Sequence, residues 1–182
     1  MSQLVEADRG TFRELRGADA GVFGDVRGSA LDQSRGVRLV TCIDPWQFSE
    51  IFDFHRRLAR RQVKPVLIEP CPVPAGGLRF ASGSPLLHPD ELDHLLTRLR
   101  ESIEHTGILA TVLYAHAPCR AATRAGVNLE QALEFLFQAK RTICREIPGI
   151  KVACFSHIDF GNGKKRSYHL SRKRWEAWRA RR

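Results

Sequence analysis

Two short stretches of this chain bring together residues able to do chemistry. In YAHAPCRAA, Tyr114 to Ala122, a histidine and a cysteine stand three residues apart, His116 and Cys119, at the end of an apolar run that starts near Ile108. Far upstream, VRLVTCID closes a second apolar run with Cys42 and Asp44. Thiolate sulfur and imidazole nitrogen suit zinc, and three protein ligands with one position left open mark a catalytic rather than a structural site. An HxxC pair by itself is a weak pattern, because cysteine is often only a small buried hydrophobe. The CxD on another strand end strengthens it, and the expectation is a Cys2His zinc site of Cys42, His116 and Cys119. Asp44 also has a local role: followed by Pro45 and, at the third helical position, Gln47, it makes a good helix N-cap.

These residues need elements to hold them. VRLVTC, from Val37, reads as a short strand, and DPWQFSEIFDFHRRLARR follows as an amphipathic helix with Phe48, Ile51, Phe52, Leu58 and Ala59 on one side. KPVLIEP is a second strand. CPVPAGGLRFASGSP is too rich in proline and glycine for a regular element and reads as a long loop of the kind that lines sites. HPDELDHLLTRLRESIEHTG spaces Leu92, Leu95, Leu96, Leu99 and Ile103 as a helix, with Pro89 near its start and Gly107 past its end. GILATVLYAHAPC is the third strand. A helix over 128–147 and a fourth strand, IKVACFSHID, come next, and Phe160-Gly161-Asn162-Gly163 signals a tight turn returning KRSYHL as an antiparallel strand.

The alternation predicts an α/β fold: a mainly parallel four-stranded sheet with an added antiparallel C-terminal strand and helices on both faces. In such sheets ligands sit at the carboxyl ends of strands where the strand order reverses. If the first and third strands are neighbours, Cys42, Asp44, His116 and Cys119 converge there.

Composition sets outer bounds. At 182 residues the chain suits one domain with a real core. Residues 1–36, rich in glycine and charge, read as an N-terminal arm, 37–170 as the zinc-binding domain and 171–182 as a basic tail. MSQLVEADRG is not a secretory signal, and no apolar run approaches the roughly 18 residues of a membrane span. A soluble, cytoplasmic protein is expected. The five cysteines, odd in number and scattered, do not form a disulfide framework. Most of the net charge of +9 lies in residues 164–182, where nine Lys and Arg face Glu176 alone. The tail's interleaved Trp175 and Trp178 could stack on nucleic acid or meet an acidic partner. Solvation, with the aromatics covering a neighbouring subunit, is the favoured reading. His157 and Asp159 read as polar strand residues beside the last turn. Cys144 in a helix and Cys154 in a strand read as packing thiols.

At CID and HAPC the sequence resembles the β-class carbonic anhydrases, whose pattern is CxDxR on one strand end and HxxC on a later one. The resemblance runs from about Gln33 to Leu170. It includes a glutamine nine residues before the first cysteine, here Gln33, and the closing HIDFGNGK. It implies that Cys42, His116 and Cys119 hold Zn2+, that a zinc-bound hydroxide hydrates carbon dioxide reversibly to bicarbonate, that Asp44 is the orienting acceptor, and that Gln33 is the substrate donor. It also implies a homodimer or higher homo-oligomer with arms crossing between subunits.

The chain departs from that pattern at two positions. Trp46 stands where the family's arginine holds the aspartate off the metal, so Asp44 could itself become the fourth ligand, as in the family's inactive form. Arg120 stands where glycine usually follows the HxxC cysteine, and it is the candidate replacement partner for Asp44. Two alternatives therefore stand beside the lyase. One is a catalytically silent, zinc-stabilised regulatory or binding protein of the same fold. The other is a related hydrolase acting on carbon disulfide or carbonyl sulfide.

Overall fold

The computed structural model describes residues 4–26, 36–59 and 67–182. Its elements are α1 (Glu6–Arg16), β1 (Phe23–Gly24), β2 (Gly36–Thr41), α2 (Pro45–Ala59), β3 (Leu67–Pro72), a 3-10 turn (Gly76–Phe80), α3 (Glu91–Thr106), β4 (Ala110–Ala117), α4 (Arg120–Arg124), α5 (Leu129–Glu146), β5 (Lys151–Asp159), β6 (Lys165–Leu170) and α6 (Arg172–Arg179). They build one α/β sheet in the order β1-β6-β5-β4-β2-β3. β3, β2, β4 and β5 run parallel, and β6 returns antiparallel to β5. This is the expected sheet with one addition, because β1 pairs antiparallel with β6.

The chain leaves β2 outward to β3 and then crosses back to β4 on the other side of β2. The strand order therefore reverses between β2 and β4, the crevice where open α/β sheets place their sites. β2 is buried along its whole length, as a central parallel strand covered on both faces must be. One face carries α2, whose Ile51 packs on Val37, Leu39, Val112, Tyr114 and Phe155. The other face buries α3 through Leu95, Leu96 and Leu99, and α5 through Leu133, Leu136 and Ile143. α5 starts cleanly because Asn128 and Gln131 exchange side-chain and backbone hydrogen bonds in a capping box.

The buried face of α2 differs from the expected one. Gln47, Ile51 and His55 face the sheet, four residues apart, while Phe48, Phe52, Leu58 and Ala59 are only half-buried. The helix is turned by polar partners on the strands: His55 Nε2 lies 2.8 Å from the Tyr114 hydroxyl, and Gln47 Nε2 donates to Asp159 Oδ2 at 3.4 Å. Burial pushes the pKa of His55 from 6.5 down to about 4, so the folded state holds the ring neutral. As pH falls below 6.5 the unfolded chain takes up a proton that the folded chain refuses, and stability is lost until the pH passes about 4. The loss from this group should be on the order of 3 kcal/mol. Urea denaturation at pH 7 and pH 4.5 measures it. His55→Phe should flatten the slope, and an unchanged slope in that variant rules this origin out.

Both ends of the chain fold onto the core. α1 buries Phe12 and Leu15, with Phe12 packed edge-on against Phe23 and Phe160. The tail, expected to be solvated or to cover a neighbouring subunit, forms α6, and its two tryptophans are buried within this chain. Trp175 Nε1 donates to Glu134 and Trp178 Nε1 to Glu14, at 3.0 and 2.8 Å. A Trp pair at i, i+3 makes an apolar stripe even in a basic helix. Among the described residues no helix is long and apolar enough to cross a membrane.

Candidate metal centre

Cys42 directly follows β2, and the chain then turns through Ile43 and Asp44 into α2. His116 is the penultimate residue of β4, and Cys119 precedes α4. Because β2 and β4 pair in parallel, both strand ends reach the same edge of the sheet. The Cys42 and Cys119 sulfurs and a His116 ring nitrogen all lie within 4.8 Å of one another, and all three residues are buried. Tetrahedral zinc bonds of roughly 2.0 to 2.3 Å place ligand atoms about 3.3 to 3.8 Å apart, so a set within 4.8 Å needs at most a small contraction to hold the ion.

The electrostatics prepare the same set. The Cys119 thiol, as hydrogen-bond partner, pulls the Cys42 thiol down to about 4 against its own burial, helped by His116 and by the Asp44 backbone N–H. Facing that thiolate and buried itself, Cys119 is pushed up. Both ring nitrogens of His116 are buried and, among the described residues, without a hydrogen-bond partner. Folded interiors rarely leave such atoms unpaired, and a ring reserved for a metal explains them. The donor set and these orphaned nitrogens fit zinc.

Asp44 is half-buried and caps α2: its Oδ1 accepts the Trp46 N–H at 3.0 Å, and its carbonyl accepts from Gln47 and Phe48. Its carboxylate is not among the atoms clustered with the two sulfurs and the imidazole. The Trp46 side chain is 71 % exposed. Arg120 is exposed at the start of α4, and among the described residues no hydrogen bond or ion pair joins it to Asp44. The partner that the structure gives Asp44 is therefore a backbone amide rather than a guanidinium. Gln33 lies outside the described residues.

Beside His116 and Cys119 is a cavity of about 230 Å³, walled largely by Val5, Ala122, Val127, Leu129 and Ala132. Asp8 also lines it, but its Oδ1 already accepts the Leu129 N–H at 2.9 Å. Among the described residues the cavity thus offers a mostly apolar wall and no lysine or arginine, which suits a small neutral molecule.

Gly76 is a support that the residue pattern did not reveal. Its φ is +61°, and a Cβ there would meet the Tyr114 carbonyl oxygen at 2.6 Å and the Cys42 nitrogen at 3.0 Å. Only glycine lets the 3-10 turn press against both site strands. The proline- and glycine-rich segment expected to be irregular thus packs as a buried buttress. His157 also lies closer than expected, since β4 and β5 pair His116 with His157. Its Nδ1 is 2.9 Å from Ser167 Oγ, and burial pushes its pKa down to about 4. Cys154 is buried as expected, whereas Cys144 is exposed because it falls on the outer face of α5.

No family model matches the chain, and no curated protein sequence matches it. Among solved structures, a β-carbonic anhydrase, isoform I from the protozoan Trichomonas vaginalis, is similar at 15 % identity with a TM-score of 0.42. The match covers 93 % of this chain and 99 % of that one.

Proposed function

We propose that this chain is a zinc-dependent lyase that hydrates carbon dioxide reversibly to bicarbonate. The observation that carries the reading is the convergence of Cys42, His116 and Cys119 at the strand-order reversal, with the His116 nitrogens left unpartnered among the described residues. When bound, zinc supplies the acidity that makes water a competent nucleophile near neutral pH. The chain's part is to hold the metal through those three residues and to orient the reacting water. Asp44 Oδ1 is engaged by the Trp46 amide, which leaves Oδ2 to accept the hydrogen of that water. The largely apolar wall of the cavity beside His116 suits the neutral gas. In this reading Gln33 is the substrate donor, in a homodimer where it serves the partner's site, and the protein works in the cytoplasm.

Stopped-flow hydration of carbon dioxide by zinc-quantified protein from about pH 6.5 to 9 brackets a zinc-water pKa near 7. Turnover that follows zinc content and vanishes in Cys119→Ala is the expected result. Stoichiometric zinc with no turnover across that range would sink the lyase reading. It would favour the second one, a silent zinc-stabilised protein closed by Asp44, which is supported by an exposed Arg120 that no hydrogen bond or ion pair joins to Asp44 among the described residues. Turnover of carbonyl sulfide or carbon disulfide alone would assign the related hydrolase.

A further inference from the structure

A histidine that ligates a metal through one ring nitrogen keeps an N–H on the other, and that N–H needs an acceptor to fix the ring. Among the described residues, neither buried His116 nitrogen has a partner, and the buried amide oxygen Gln47 Oε1 is in the same condition. Gln47 is only 6 % exposed. Its orientation is fixed chemically: Nε2 donates to Asp159 Oδ2, and since a carboxylate can only accept, Oε1 points elsewhere.

Topology says where. Gln47 sits in the first turn of α2, directly after β2, while Asp159 ends β5, and β4 lies between those strands. The Gln47–Asp159 hydrogen bond therefore joins elements on either side of β4, and His116 stands near the carboxyl end of that strand. His116 and Asp159 also share a face, because His116 pairs with His157 and Asp159 lies two residues further on. Among the described residues, two other buried polar atoms on this face are unpartnered. The Thr41 hydroxyl belongs to a position on β2 level with Tyr114, short of His116 along the sheet. His157 Nε2 faces Glu50 Oε2 at 3.6 Å.

We propose that Gln47 is a positioning residue of the metal centre, its Oε1 accepting the N–H that His116 retains when its other nitrogen binds zinc. This rests on the zinc reading above. It assigns the buried polar position of α2 to the site rather than to the core.

The test is zinc affinity by chelator competition, together with the ring N–H signals of zinc-loaded protein labelled with nitrogen-15 histidine. Gln47→Met, close in shape but without an acceptor, should weaken zinc binding by roughly 10- to 100-fold and expose the His116 N–H to exchange. Gln47→Glu combined with Asp159→Asn keeps an acceptor at position 47 and moves the donor to position 159, and should retain both the affinity and the protected N–H. Unchanged affinity in a folded Gln47→Met protein overturns the proposal. So does loss of the protected N–H in Thr41→Val but not in Gln47→Met. A wild-type chain that binds no more zinc than Cys119→Ala overturns this proposal and the zinc reading together, whereas tight wild-type binding with an indifferent Gln47→Met overturns this one alone.

Discussion

Alanine at Cys119 is expected to take the chain from one zinc per molecule to nearly none, and alanine at His116 should do the same. Each variant leaves two of the three clustered donors, and no other His, Cys, Asp or Glu group among the described residues gathers three ligand atoms that closely. Structural zinc sites contribute on the order of 10 kcal/mol of apparent binding free energy at neutral pH. Loss of one ligand should bring the site below what a competing chelator leaves occupied. Because metal that binds only the folded state stabilises it, a zinc concentration of 100 times Kd is worth about 2.7 kcal/mol. Chelation should therefore lower the Tm of the wild-type chain and leave that of Cys119→Ala unmoved. Cys144→Ala, at an exposed thiol outside the cluster, should retain its zinc. Full zinc content in Cys119→Ala would remove the site from consideration.

The second large effect is expected far from the metal. Arg38, in the middle of β2, has no solvent exposure at all, and its guanidinium is held from several sides. Nη2 meets Glu69 Oε2 at 2.8 Å, Nε and Nη2 donate to Ser102 Oγ at 3.1 and 2.8 Å, and Nη1 donates to the Ile108 carbonyl at 3.1 Å. Ser102 in turn contacts Glu69. The ion pair is cross-strand, since β2 and β3 pair Arg38 with Glu69. Arg38→Met would leave the Glu69 carboxylate with the Ser102 hydroxyl but without its cationic partner, and would remove the guanidinium donor to the Ile108 carbonyl. Breaking a buried pair from one side costs about 3 to 5 kcal/mol, and the value here should fall near 3 because Glu69 keeps some access to water. Replacing both partners with apolar residues should recover most of that loss, because the desolvation of both charges disappears with them. Urea denaturation of the single and double variants measures the coupling. A single variant within about 0.5 kcal/mol of wild type, the range of ordinary surface substitutions, would show that the pair is not a stabilising element.

Much of the architecture follows from signals confined to a few neighbouring residues. Period-two and unbroken apolar runs placed the parallel strands, and the spacing of Leu95, Leu96 and Leu99 placed α3. Gly107, Asn128 and the Gly161-Asn162-Gly163 turn punctuated them. The donors Cys42, His116 and Cys119 were legible for the same reason, as each stands at the end of a strand that its own segment specifies. Their convergence needed β2 and β4 to be neighbours, a condition that the alternation of elements left open and the sheet order meets.

Only the tertiary structure decided which face α2 buries. By pattern its aromatic residues belonged inside, yet Gln47 and His55 are buried because Asp159 and Tyr114, distant in the chain, offer them hydrogen bonds. A helix's own periodicity cannot report partners on other strands. The same limit hid the buried Arg38, the fit of Gly76 against Cys42, and the cores of α1 and α6, whose charged sequences conceal narrow apolar stripes. It also hid the backbone amide that holds Asp44 where the Trp46 side chain offers nothing. Local sequence thus set the elements and the ligand types, while long-range hydrogen bonds and close backbone contacts, invisible to any short window, set how the site is braced.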